Sequence, residues 1–144
     1  MTAKTYLRQI YFLYIKIRQR QEQLDELKAA ASGFRGIDYS ADKIQSSPSD
    51  RMAEAVGRYA DLESDLQQMI DRYIRRKNTI IGQIEQLEDA RHVEVLYARY
   101  VLFKPLGDIA NEMGYEYKYL CWLHGKALKA FETRFIKEHE QSRF

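Results

Sequence analysis

The sequence predicts an all-α protein in which a long antiparallel, coiled-coil-like helical hairpin is followed by a compact unit of three shorter helices. Three observations carry this expectation. Glycine and proline number only 7 and 2 among 144 residues, about half the usual share, which leaves few turns for a sandwich of strands. Apolar residues recur at alternating steps of three and four along two long segments, the spacing of one helix face. From Asp89 onward, Lys104-Pro105 and Gly114 cut the chain into short stretches, and these are residue types that end helices.

Taken in order, residues 3–31 place Ala3, Ile10, Ile17, Leu24 and Ala31 in one row and Tyr6, Leu13, Arg20 and Leu27 in another, the a and d positions of a heptad with one polar intruder. Residues 32–49 hold Gly33, Gly36, Pro48 and five serines, a composition that predicts a loop. The loop ends on a helix start: Ser47 as N-cap, Pro48 in the first helical position and Asp50 three residues after the cap. The second heptad-like segment, residues 48–88, runs through Met52, Val56, Tyr59, Leu66, Ile70, Tyr73, Ile80, Ile84 and Leu87, with Glu63 and Lys77 as polar interruptions. A helix of that length reaches about 60 Å and needs a partner. Aligning the apolar rows sets Ile17 against Leu66, Ile10 against Tyr73, Leu24 against Tyr59 and Leu13 against Ile70. The same register brings Arg20 to Glu63 and Lys77 to Tyr6, favourable charge and cation–π pairings. Residues 1–88 are therefore expected to form a hairpin arm and residues 89–144 a separate domain.

In that domain, Asp89 caps a helix over residues 90–103 whose apolar face is Val93, Leu96, Tyr97, Tyr100 and Val101. A short helix over 106–113 and a last helix from Glu116 to about Lys137 follow. Ile109 and the small Ala110 supply the buried contact, Gly114 allows the tight turn, and Leu120 and Leu123 lock the last helix in place. Tyr117, Lys118, Cys121 and Trp122 are left outward. This is a helix-turn-helix, whose second helix fits a major groove of double-stranded DNA. Lys104, Lys118, Lys126 and Lys129 make sense as phosphate anchors taken as a group. Arg72, Arg75, Arg76 and Lys77 read as a solvated arm face.

Composition sets the remaining bounds. Lys and Arg number 23 against 21 Asp and Glu, a net charge of +2 with 31% charged residues. Such balance suits exposed helix faces and excludes a strongly basic coat, so any basic patch is local. A single cysteine, Cys121, excludes an intramolecular disulfide and points to a reducing compartment. The longest apolar run, Ile10 to Ile15, falls far short of the roughly 20 residues that span a bilayer. With no signal-peptide pattern at the N-terminus, the expectation is a cytoplasmic protein with no membrane partner. Cys121 and His124 have half the spacing of a metal site, but His92 and His139 bring no companion cysteines, so no metal is expected. No phosphate loop, nucleophile elbow or paired-carboxylate pocket is present in the sequence. Neither enzymatic activity nor a cofactor is expected.

On Val95-Leu-Tyr-Ala-Arg-Tyr100, Asp108-Ile-Ala-Asn-Glu-Met-Gly114 and Leu123 to Leu128, the chain resembles the promoter-reading C-terminal region of bacterial sigma factors. With Ser47-Pro-Ser-Asp-Arg-Met52 and Leu123-His-Gly-Lys-Ala-Leu128, nearly its full length is similar to small phage and prophage proteins related to the RinA and ArpU late-gene activators. The resemblance implies a sequence-specific DNA-binding regulator in the bacterial host cell, activating phage late genes in contact with RNA polymerase. Carried over by position, it implies base reading by Tyr117, Lys118 and Trp122 and phosphate contacts by Tyr119, Cys121 and Lys126. Sigma-type helices place arginines and a glutamine at several of these positions. Their replacement by aromatics removes the bidentate guanine contact and implies weaker, A·T-leaning or partner-assisted reading. Two alternatives stand beside this one: a small terminase subunit, and a protein-interaction module that binds polymerase or a regulator through the aromatic face. Tyr11-Phe-Leu-Tyr14, Ile15, Ile74 and Ile81 exceed what one hairpin seam buries. They are expected to pack the C-terminal unit on the arm or to form a homodimer surface.

Overall fold

The computed structural model describes residues 1–33 and 48–137. Among them the regular elements are all helical, and no strand occurs. The helices are α1 (Ala3–Leu7), α2 (Gln9–Gly33), α3 (Pro48–Glu85), α4 (Ala90–Leu96), α5 (Leu106–Met113) and α6 (Tyr117–Phe131). Both α4 and α6 continue into wider, π-helical turns, over Tyr97–Val101 and Glu132–Lys137. The all-α expectation is met. Pro48 opens α3 and Asp50 lies in its first turn, where a carboxylate favours the helix dipole. Most of the serine-rich loop, including Ser47 as cap, lies outside the described residues, as does His139.

Packing divides the chain into two compact units: residues 1–13 with the chain from Tyr73 onward, and residues 14–72. In the first, Ala3, Leu7, Ile10, Ile80, Ile84 and Leu87 share one buried core with Leu96, Tyr100, Val101, Ala127 and Phe131. The compact body around α4–α6 thus draws in both ends of the segments read as an arm. α1 starts at Thr2, whose side chain accepts from the Thr5 amide, and Arg8 forms a turn before α2. Burial then follows Ala3, Leu7 and Ile10 at steps of four and three.

The second unit pairs α2 with α3 in antiparallel fashion. Lys16, Gln19 and Arg20 share a groove with Asp65, Gln68, Met69 and Arg72, while Glu26 and Leu27 share one with Arg58, Asp61 and Leu62. Leu24 and Leu66 are its buried residues. The register differs from the expected one. Arg20 donates to Gln23 Oε1 at 3.2 Å and faces the Asp65 groove, while Glu63 is exposed. In the first unit, the Tyr6 hydroxyl donates to Gln83 Oε1 at 2.7 Å, and Lys77 sits 5.3 Å from the centre of the Tyr73 ring. Within the first unit Leu7 is buried beside Ile10, and Tyr6 meets a later turn of α3 than a strict heptad gives. Of the surplus apolar residues, Ile81 packs on this core and Tyr11 meets Phe103 edge-on at 5.3 Å. Phe12 and Ile74 stay about half exposed.

Candidate nucleic-acid interface

The α5–α6 turn has its own small core. Ile109 and Ala110 of α5 pack with Leu120 and Leu123 of α6, with Val95 of α4 and with Ala98 of the wider turn that continues it, all six buried. α5 ends at Gly114, whose φ of 72° is left-handed. The Gly114 amide donates to the Asn111 carbonyl and the Tyr115 amide to the Ala110 carbonyl, the two bonds of a Schellman stop. Glycine adopts this conformation without the strain of a side chain. The chain then extends through Glu116 and enters α6 at Tyr117. Because residues three, four and seven apart share a helix face, burying Leu120, Leu123, Ala127 and Phe131 leaves Lys118, Trp122, Lys126 and Lys129 in one outward row, all exposed.

Tyr117 and Trp122 are 58% and 54% exposed, an unusual exposure for large rings fixed on a regular helix. Lys126 Nζ lies 5.6 Å from the centre of the Trp122 ring. The neighbouring Cys121 thiol, one turn along α6, pushes the Tyr117 pKa up. Cys121 is half-buried on that flank. Tyr119 is on the opposite flank, with Tyr115 at 4.9 Å and Trp122 at 5.7 Å between ring centres. Lys104 is not in the outward row: its ammonium is paired with Glu112 at 2.8 Å, so its charge is largely neutralised there.

Sequence reasoning missed Arg91. Its guanidinium is gripped by Asp89, through Nε at 3.3 Å and Nη2 at 2.9 Å, and donates to the Tyr119 hydroxyl at 2.7 Å. Asp89 also accepts from the Arg91 amide, which is the expected cap of α4. These hydrogen bonds hold the Asp89 carboxyl down at about 2. Asp89 and Arg91 thereby fix one edge of the α6 face. The only local signal was the cap motif, which carries no information about a tyrosine on another helix.

On the other side of α6, His124 Nε2 and the Tyr100 hydroxyl share a hydrogen bond at 2.8 Å, and their rings stack at 5.7 Å. Burial, with help from the Arg99 and Lys4 charges, depresses the His124 pKa from 6.5 to about 4. The imidazole is therefore neutral in the folded protein near pH 7. The unfolded chain takes up this proton near pH 6.5 and the folded one only near 4, so stability is complete above 6.5 and falls as the pH drops through that window. After allowance for solvent screening at a half-buried group, the loss should be about 1–2 kcal/mol. Thermal melts between pH 7 and 4 should show this decline for the wild type and a flatter profile for His124→Gln.

Comparison of the chain with protein-family models, with curated proteins and with solved structures gave no match. Among the described residues, no group of three or more His, Cys, Asp or Glu side chains is placed to hold a metal ion. None of the described helices is long and apolar enough to cross a membrane.

Proposed function

We propose that this protein is a sequence-specific DNA-binding regulator of phage late transcription, acting with the host RNA polymerase through binding and not through chemistry. The observation that carries the DNA reading is the outward row Lys118, Trp122, Lys126 and Lys129 on a helix held by the Ile109–Ala110–Leu120–Leu123 core. A helix so presented enters a major groove, its lysines meeting phosphates and its aromatic rings meeting base edges such as thymine methyls. The phage and polymerase parts of the proposal rest on the resemblance of the sequence. Glu116 stands at the N-terminus of α6 and Asp108 in the first turn of α5. Both helix ends thus carry a carboxylate, and the attraction for DNA falls to the side-chain row.

The exposure of Tyr117 and Trp122 favours one second reading, a face that binds protein without DNA. Salt separates the two, because phosphate contacts weaken steeply with ionic strength and an apolar interface does not. Gel-shift titration against fragments of the neighbouring genome, at low and high salt, tests the proposal. One fragment retained preferentially at high salt is the expected result. No shift on any fragment would turn the assignment to the protein-binding reading.

A further inference from the structure

A cavity of about 410 Å³ opens in the first compact unit, lined by Lys4, Arg8 and Arg99 together with Tyr11, Tyr100, Phe103, Leu106 and His124. Three cationic side chains converge on it, and no carboxylate lines it. Among the described residues, none of the three is in an ion pair. One Arg99 nitrogen donates to the Lys104 carbonyl at 3.0 Å, which leaves the other guanidinium donors available. Arg8 lies over the Phe12 ring at 5.6 Å. An anion with several acceptor oxygens is the ligand that complements a concavity lined by three cations and no carboxylate. The Lys104–Glu112 pair shows that carboxylates are used nearby where a cation is to be neutralised.

The cavity is placed on the flank of the helix-turn-helix. Leu106, the first residue of α5, and His124 of α6 both line it. In a helix-turn-helix the first helix crosses the DNA backbone while the second enters the groove, so this is the flank on which backbone phosphates pass.

We infer that this cavity seats a DNA backbone phosphate beside the groove entered by α6, with Lys4, Arg8 and Arg99 as its cationic anchors. The inference rests on the DNA-binding reading and deepens it. Phosphate anchoring here comes from the N-terminal helices and the end of α4, in addition to the α6 lysines. It also gives residues 1–13 a reason to belong to the same compact unit as the helix-turn-helix.

The test is the salt dependence of affinity for a labelled duplex of the fragment retained in the gel shift, measured by fluorescence anisotropy. Each phosphate contact contributes about 0.9 to the slope of log affinity against log salt. The double variant Lys4→Gln/Arg8→Gln should lower that slope by about 1 and weaken binding about tenfold at moderate salt. The control Lys16→Gln/Arg18→Gln removes the same charge from the other unit and should leave the slope unchanged. If the first double variant melts early, Lys4→Gln alone, on an exposed side chain, should still lower both slope and affinity. An unchanged slope in the cavity variants, or an equal drop in the control, would overturn the inference while leaving DNA binding intact. A calorimetric titration with inorganic pyrophosphate covers the other source of the same chemistry. Tight pyrophosphate binding with an unchanged DNA slope would give the cavity to a free phosphorylated ligand and likewise overturn the inference. Absence of wild-type binding to every duplex would remove the DNA reading and this inference together.

Discussion

Replacing Phe131 by alanine should lower the unfolding free energy by about 3–5 kcal/mol, the largest single-residue effect expected in this chain. Phe131 is fully buried at the end of α6. Its ring lies 5.7 Å from that of Tyr6 and 4.9 Å from that of Phe135, in the core that also holds Ala3, Leu7, Ile10, Ile80 and Ile84. Removing it opens a cavity that helices α1, α2, α3 and α6 border together, so relaxation by any one of them is limited. Denaturant unfolding followed by circular dichroism measures the effect. Leu102→Ala, at a residue 49% exposed, serves as the comparison and should change stability by less than about 0.5 kcal/mol. Similar losses for the two variants would mean that α6 does not share a core with the N-terminal helices.

The second large effect concerns binding. Trp122→Ala should weaken specific DNA binding by about tenfold or more, in line with the cost of truncating a central aromatic anchor, while leaving helix content and melting temperature unchanged. The ring is 54% exposed, so its removal opens no cavity. It also supports the Lys126 ammonium at 5.6 Å and touches Tyr119, so two neighbouring contacts loosen with it. Lys118→Ala, which removes one exposed cation from the same row, should weaken binding several-fold. Unaltered affinity in both variants would remove α6 as the reading helix.

The helix-turn-helix was legible in the sequence because its determinants are local. Lys104-Pro105 breaks one helix, Gly114 stops the next at φ 72°, and Ile109, Ala110, Leu120 and Leu123 lie close enough in the chain for spacing alone to place them in one core. The outward position of Lys118, Trp122, Lys126 and Lys129 follows from the same periodicity. The register between the two long helices was not legible. Heptad rows fit one another at several offsets one or two turns apart, and in the first unit Leu7 and Ile10 share a core with Ala127 and Phe131 that is assembled from distant parts of the chain. Arg20 and Glu63, the opposite-charge pair set by the apolar fit, do not form an ion pair: Arg20 bonds to Gln23 and Glu63 is exposed. Lys104, read from the sequence as a phosphate anchor, pairs with Glu112 across the Pro105 turn, a contact that its spacing in the chain does not announce. Lys4, Arg8 and Arg99 carry no motif at all, and only folding brings them to one cavity.

Trp122 is the only tryptophan in the chain, so the protein carries its own reporter on the helix assigned to the groove. Titrating the retained duplex into the wild-type protein while following tryptophan emission therefore tests the central claim most directly. A saturable change in emission, with a midpoint that moves to higher duplex concentration as salt is raised, is the result expected if α6 enters the groove. Full binding of the duplex in the gel shift, with tryptophan emission unmoved, would contradict it.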